Sequence, residues 1–300
     1  MRIGTRDSAL ALAQTHKVKE LIVSCCGLNP SSIEVVKIKT TGDKLKNKDL
    51  SNVGGKGLFL KEIEEQLLLD NIDIAVHSTK DIPASIPEDL MIAAYLKRDY
   101  VEDVFISRNF SSIEGLPYGA TFGTSSPRRR VQMQMIRPDL KFVLFRGNVN
   151  TRLQKLKDGE ADATSLALCG IKRLGIDLEK EGYKSSVLPY DRFIPAVGQG
   201  VISVECRKKD KDLIEILKLI NDHRTENMML AERAFLETLK GTCKTPMAAY
   251  AEYLDAKIAL HCMLANDEGT KVHNIIKTGE VSCPRKLGIK AAKTIQKMFL

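Results

Sequence analysis

The sequence predicts an α/β protein of more than one domain, and three observations lead there. Strand-like and helix-like segments alternate through Met1 to Val76, a similar alternation restarts near Val104, and the last third changes to a helix, a β-hairpin and a final helix. With 300 residues the chain is about twice the usual single-domain length, so two or three domains are expected.

In chain order, Met1 to Thr5 reads as a short strand entering a helix at Asp7 or Ser8, either of which can cap first-turn amides. Leu10, Ala13, Val18, Leu21, Ile22 and Cys25 mark one face of that helix, and Gly27 with Pro30 stops it. Ile33 to Ile38 follows as a strand. Thr40 to Gly57 is polar, lysine-rich and glycine-rich, which suits a long loop. A helix with Phe59, Ile63 and Leu67 on one face comes next, and Ile72, Ile74 and Val76 alternate as a strand. That order gives a mixed or parallel sheet.

The second series has strands at Phe122 to Thr124, Lys141 to Phe145 and Ala163 to Leu168, with helices from Pro127 and Thr151 between them. After Pro195-Ala-Val-Gly-Gln-Gly200, the strand Val201 to Glu205 is expected to return to the first domain. Thr225 is read as the cap of a helix that runs to Lys240, with Gly241 as its left-handed terminator. Met247 to Leu254 and Lys257 to Leu264 then form a hairpin about Asp255 and Ala256. A last helix, from about Arg285, carries Lys286, Lys290, Lys293 and Lys297 on a solvated side.

Composition narrows the function classes. Hydrophobic residues at 43% and charged residues at 28% exclude disordered and low-complexity chains. Apolar pieces such as Leu90 to Leu96 are too short to cross a bilayer, and the charged start lacks the apolar core of a signal peptide, so a cytoplasmic protein is expected. Seven cysteines without framework spacing are expected to be reduced thiols, and five histidines without ligand spacing make a structural metal unexpected. The excess of 46 Lys and Arg over 38 Asp and Glu, a net of +8, asks for an anion. With aromatics at 5% and no Trp, stacking on single-stranded nucleic acid is not favoured.

The arginines say where that anion goes. Gly123-Thr-Ser-Ser-Pro-Arg-Arg-Arg130 makes Ser126 a natural cap and Pro127 the first helical residue, which places three cations where the helix dipole disfavours them. Arg146-Gly-Asn-Val-Asn-Thr-Arg152 repeats the arrangement. Such strand-to-helix junctions suit a carboxylate or phosphate, the alternative being a solvated basic patch. Gly54-Gly-Lys-Gly57 lacks the spacing of a triphosphate loop and suits either a lid carrying Lys56 and Phe59 or a plain surface loop. His77-Ser-Thr-Lys-Asp81 follows a strand, where open α/β sheets bind ligands, and Asp81 is a candidate acid, base or cation stabiliser. Cys243 follows a helix end, which disfavours a thiolate, between Lys240 and Lys244, which favour one; on these residues alone it reads as an ordinary loop cysteine.

Taken together, Arg2-Ile-Gly-Thr-Arg-Asp-Ser8, Gly54-Gly-Lys-Gly-Leu-Phe59, His77 to Asp81, Gly123 to Arg130, Arg146-Gly-Asn148, Thr151-Arg-Leu153, Pro195 to Gly200 and Gly241-Thr-Cys243 resemble the porphobilinogen deaminases, also called hydroxymethylbilane synthases, in order and over nearly the whole chain. The resemblance implies two lobes like type II periplasmic binding proteins plus a small C-terminal α/β domain with an antiparallel sheet. The expected divisions are 1–97 with 199–215, 98–198, and 216–300. It also implies a dipyrromethane cofactor held by a thioether at Cys243, and a reaction that joins four porphobilinogen units with loss of ammonia before hydrolysis.

By position in the family's motifs, Asp81 is the catalytic residue, stabilising the azafulvenium cation left when ammonia departs. Ser78, Lys80, Thr124, Ser125, Ser126, Arg128, Arg129, Arg146 and Gly147 hold the cofactor with Cys243. Arg6, Ser8, Lys56, Phe59, Arg146 and Arg152 bind substrate, whose acetate and propionate call for forked donors. The family expectation is a monomer that meets a small-molecule substrate, with neither nucleic acid nor membrane as partner. Asp7, Cys169-Gly170 and Pro246-Met-Ala-Ala249 depart from the family's usual residues without removing any of these. Read without the resemblance, a bilobal anion receptor remains the rival, one that needs neither Cys243 nor Asp81.

Overall fold

The computed structural model describes residues 1–40, 60–242 and 244–299. The chain divides into two compact units, Met1–Asp99 with Gly200–Met229, and Tyr100–Gln199 with Leu230–Leu300.

In the first unit, β1 (Arg2–Arg6) leads into α1 (Ala9–Cys26), then β2 (Glu34–Ile38), α2 (Lys61–Leu68), β3 (Ile74–Ser78) and β4 (Leu90–Tyr95). Ser8, not Asp7, caps α1: its hydroxyl accepts from the Ala11 amide at 3.3 Å. The sheet is completed by β10 (Ile202–Arg207), in the order β2-β1-β3-β10-β4, with β10 antiparallel to both neighbours. The strand after Gly200 therefore does return to the first sheet. Because β3 lies inside the sheet, Ile74 to His77 are all buried, and the alternation expected there is lost. Helices cover both faces. Val18 and Ile22 of α1 pack with Ile3, Val76 and Val204 on one side. Ile63 and Leu67 of α2 pack with Ile72 and Ala75 on the other, each fully buried Ile or Leu side chain contributing about 1.5–3 kcal/mol.

The second unit repeats the plan. It holds β5 (Asp103–Ser107), β6 (Thr121–Gly123), α3 (Pro127–Ile136), β7 (Lys141–Val143), α4 (Val149–Lys157), β8 (Ala163–Ala167), α5 (Leu168–Arg173) and β9 (Lys184–Leu188). Its order is β7-β6-β8-β5-β9. With β6 in the place of β1 and β5 in the place of β10, this is the same topology, down to the antiparallel fourth strand. The repeated sheet agrees with the two like lobes that the resemblance implies.

The boundary expected at 215/216 falls inside α6 (Lys211–Lys218). Leu217 and Ile220 complete the first unit's core, so residues 216–229 belong with that unit. In α7 (His223–Thr238) two expectations change. Asp222 accepts from the Thr225 amide at 2.7 Å and is the cap, while Thr225 is buried and accepts from the Arg98 amide. Lys240, at φ 52°, is the left-handed residue, and Gly241 is needed instead for close approach, since a Cβ there would meet Met247 and Leu236. The hairpin of β11 (Met247–Leu254) and β12 (Lys257–Ala265) turns at Asp255, φ 53°, as expected. An unexpected third strand, β13 (Val272–Glu280), extends it. α8 (Pro284–Gln296) covers this sheet with Leu287, Ala291 and Ile295 buried.

Candidate functional site

Parallel strands deliver their following loops to one edge of a sheet. In the first unit β1 and β3 are parallel neighbours, so Arg6 and Ser78 emerge at the same edge. Ser8 then opens α1, and the single 3-10 turn Thr79–Asp81 brings Asp81 back toward Ser78. Arg6, Ser8, Ser78 and Asp81 consequently line one cavity of about 50 Å³, together with Gln14 and His77 among others. Ser78 is fixed there by the Gln14 amide at 2.8 Å. Lys80 is exposed on the same turn and does not line the cavity.

In the second unit the parallel strands β6 and β7 end in the two arginine-bearing junctions. Ser126 caps α3, accepting from the Arg129 amide at 3.4 Å, and Thr124 accepts from the Ser126 amide at 3.2 Å. Ser125 ties the junctions together, accepting from the Phe145 amide at 3.1 Å. Asn148 caps α4 through the Thr151 amide at 2.8 Å. Gly147 stands between Arg146 and this cap at φ 121°, and a Cβ there would collide with Thr151. Arg152 donates from Nε to the Gly147 carbonyl at 2.9 Å, so α4 closes back onto its own entry loop. Arg146, Gly147 and Arg152 are thus one local assembly.

Arg128 and Arg129 differ from expectation. Rather than opening onto a ligand, both guanidinium groups converge on Asp103, at 2.6 Å to each of its oxygens, with side-chain exposures of only 5% and 8%. Arg128 also donates to the Ile194 carbonyl at 2.8 Å. Burial opposes ionisation of Asp103, but the two guanidinium groups outweigh it and hold its carboxyl well below the usual range. Two cations on one anion leave a net positive charge beneath the start of α3. Arg130 turns elsewhere, over the Phe142 ring at 5.7 Å.

Lys56 and Phe59, expected over the substrate, and Cys243, expected to carry the cofactor, lie outside the described residues. Among the described residues no His, Cys, Asp and Glu cluster could hold a metal ion, and no helix is long and apolar enough to cross a membrane. Sequence reasoning missed Asp103, Gln14 and the buried pair His77–Glu205. Only Glu205 carried a signal, an acid within the apolar run Val201 to Cys206.

Residues 1–215 match the family model described as porphobilinogen deaminase, dipyromethane cofactor binding domain, and residues 227–297 match that of the porphobilinogen deaminase C-terminal domain. The chain belongs to the porphobilinogen deaminase family. A porphobilinogen deaminase of Rickettsia canadensis is 46% identical over 98% of this chain and 96% of its own length. One from Paracoccus denitrificans is 45% identical over 99% and 93%. The activity is therefore that of a porphobilinogen deaminase, a transferase that condenses four porphobilinogen molecules with release of ammonia and hydrolyses the product to the linear tetrapyrrole hydroxymethylbilane. Among solved structures, the periplasmic VFT2 domain of Bordetella pertussis BvgS is similar with TM-score 0.44 at 13% identity, covering 73% of this chain and 86% of that one. Substrate binding domain 2 of Lactococcus lactis GlnP gives 0.42 at 14%, covering 77% and 92%.

The deaminase cofactor, dipyrromethane, carries acid side chains, and the two junctions of the second unit fit such a group. Each couples a helix start to nearby arginine, and the first carries the net positive charge of the Asp103 cluster. When bound, the cofactor supplies the primer to which pyrrole units are added.

Proposed function

We propose that Asp81 is the catalytic carboxylate of this deaminase and that Arg6 and Ser8 hold a substrate acid group beside it. The observation carrying this reading is the shared cavity: four residues from two loops, distant in sequence, meet at the carboxyl edge of one sheet. A carboxylate there stabilises the cation left when ammonia departs and takes up the proton released on condensation. Arg6 and the first-turn amides of α1 suit the opposite charge on the substrate's acid groups.

In the second unit, Thr124, Ser125, Ser126, Arg146 and Gly147 hold the cofactor's acid groups and Arg152 reaches substrate. Arg128 and Arg129 act through the charge of the Asp103 cluster rather than by direct contact. Lys80, with Ser78, completes the cofactor set, and Lys56 with Phe59 covers the bound substrate. Cys243, within Gly241-Thr-Cys243, is the point of thioether attachment; a permanent tether needs no activated thiolate. The reading further includes a third domain at the C-terminus, distinct from the 98–198 lobe, and a cytoplasmic monomer without nucleic-acid or membrane partners.

The test is steady-state turnover of porphobilinogen by Asp81→Asn. The expected result is a kcat lowered by about 10²- to 10⁴-fold with cofactor loading retained; near-normal turnover contradicts the assignment.

A further inference from the structure

Behind the Arg6–Asp81 cavity, the first unit buries polar and ionisable groups that the catalytic reading leaves unused. In the antiparallel pair of β3 and β10, Ser203 lies opposite His77 and Glu205 opposite Ala75. Side chains two residues apart share a face, so His77, Ser203 and Glu205 all point to the same side of the sheet. Two separate contacts lie on that side, His77 with Glu205 and Ser203 with Thr79. His77 Nε2 lies 2.9 Å from Glu205 Oε2, with side-chain exposures of 3% and 0%. One step further, the Thr79 hydroxyl bonds to Ser203 and donates to the Val201 carbonyl at 3.1 Å, and the Thr79 amide donates to the same carbonyl at 3.0 Å. The ladder ends where the turn bearing Lys80 and Asp81 begins.

This ladder is costly for stability alone. A buried acid–histidine pair in a sheet interior gains little over apolar residues of the same volume, because both groups are desolvated. The neighbouring side chains of β10 on the opposite face, Ile202, Val204 and Cys206, are apolar as an interior strand requires. Glu64 on α2 adds a second acid to the polar face; burial and the Glu205 charge push its carboxyl up to about 7, His77 opposing. One oxygen of each acid, Glu64 Oε1 and Glu205 Oε1, is buried without a hydrogen-bond partner among the described residues. Such an arrangement persists where geometry, rather than stability, is what the fold must hold.

We propose that His77 and Glu205 are positioning residues for the condensation: with Thr79 and Ser203 they form a polar ladder that fixes the turn carrying Asp81 at the cavity. The inference rests on the reading of Asp81 as the catalytic carboxylate. His77 shares the cavity wall with Asp81, and Glu205, which does not line that wall, holds His77 from behind. The pair acts by setting where the Asp81 carboxylate stands relative to the cavity wall, and a displacement of the order of 1 Å there is enough to slow chemistry.

The experiment compares Glu205→Ala, Glu205→Gln and Thr79→Val with the wild type, measuring kcat and KM per folded, cofactor-loaded molecule. Glu205→Ala is expected to lower kcat by about 10- to 100-fold while KM stays within about threefold. Glu205→Gln, which still accepts from His77, is expected to restore most of that loss. Thr79→Val keeps shape and removes only the hydroxyl, so it tests the ladder even if Glu205→Ala fails to fold, and a kcat lowered at unchanged KM is expected. Unchanged kcat in Thr79→Val, or Glu205→Gln as slow as Glu205→Ala, overturns the inference. Near-normal turnover by Asp81→Asn removes the functional reading instead, so the two failures are separable.

Discussion

Asp103 accepts from two guanidinium groups, and that one carboxylate decides what Arg128 and Arg129 are for. The arginines were visible in the sequence as cations at the wrong end of a helix; their partner was not, because an acid opening the strand Asp103–Ser107 has no signature of its own. Removing the negative charge in Asp103→Asn strands two buried cations, and a loss of about 3–5 kcal/mol is expected, read as a lower midpoint in denaturant. The sign with pH follows from the carboxyl being held below its usual range in the folded state. Its stabilisation is fully present above the unfolded carboxyl's pKa, near 4, and is lost as pH falls through the lower folded value. Denaturant midpoints of wild type and Asp103→Asn should therefore converge in acid and stay apart from pH 5 upward; a gap that does not change with pH contradicts the ion-pair account.

Among elements, position in the sheet does not separate the expected strands from the unforeseen ones. β4, β5, β9 and β13 were not anticipated; polar residues blur the pattern in the edge strands β9 and β13, but the edge strands β2, β7 and β11 were expected and the unforeseen β5 is interior. The interior strand β3 was legible as an alternation of Ile72, Ile74 and Val76 even though burial on both faces removes that alternation, and the capped junction at Ser126 from its Ser-Pro signature. Where a helix ended was less legible: Lys240 takes the left-handed conformation beside a glycine that the rule would choose, since packing against Met247 and Leu236 claims Gly241 first. The Arg146 junction depends on its glycine for both reasons at once. Gly147→Ala forces a Cβ into Thr151 at φ 121°, so a stability loss of at least about 1 kcal/mol and weaker substrate binding, a raised KM, are expected. A variant with wild-type KM would show that the junction does not hold substrate.

At the scale of the molecule, one sheet topology occurs twice, and each lobe offers its carboxyl edge as the place where loops meet. That repetition was legible as an alternation of elements, though no sequence repeat announced it. The net charge of +8 was legible as a demand for an anion, yet part of the motif charge is neutralised internally at Asp103. Cys243 marks the limit of reading residues without a family: its local charges cancel, and only the ordered motifs single it out. The account's central claim is that this chain works as a deaminase on a cofactor tethered there. Intact-protein mass spectrometry of the purified wild type and of Cys243→Ser tests it most directly. The account predicts a wild type heavier than its sequence by two linked pyrrole units and a variant at its bare sequence mass; an active wild type at bare sequence mass would contradict it.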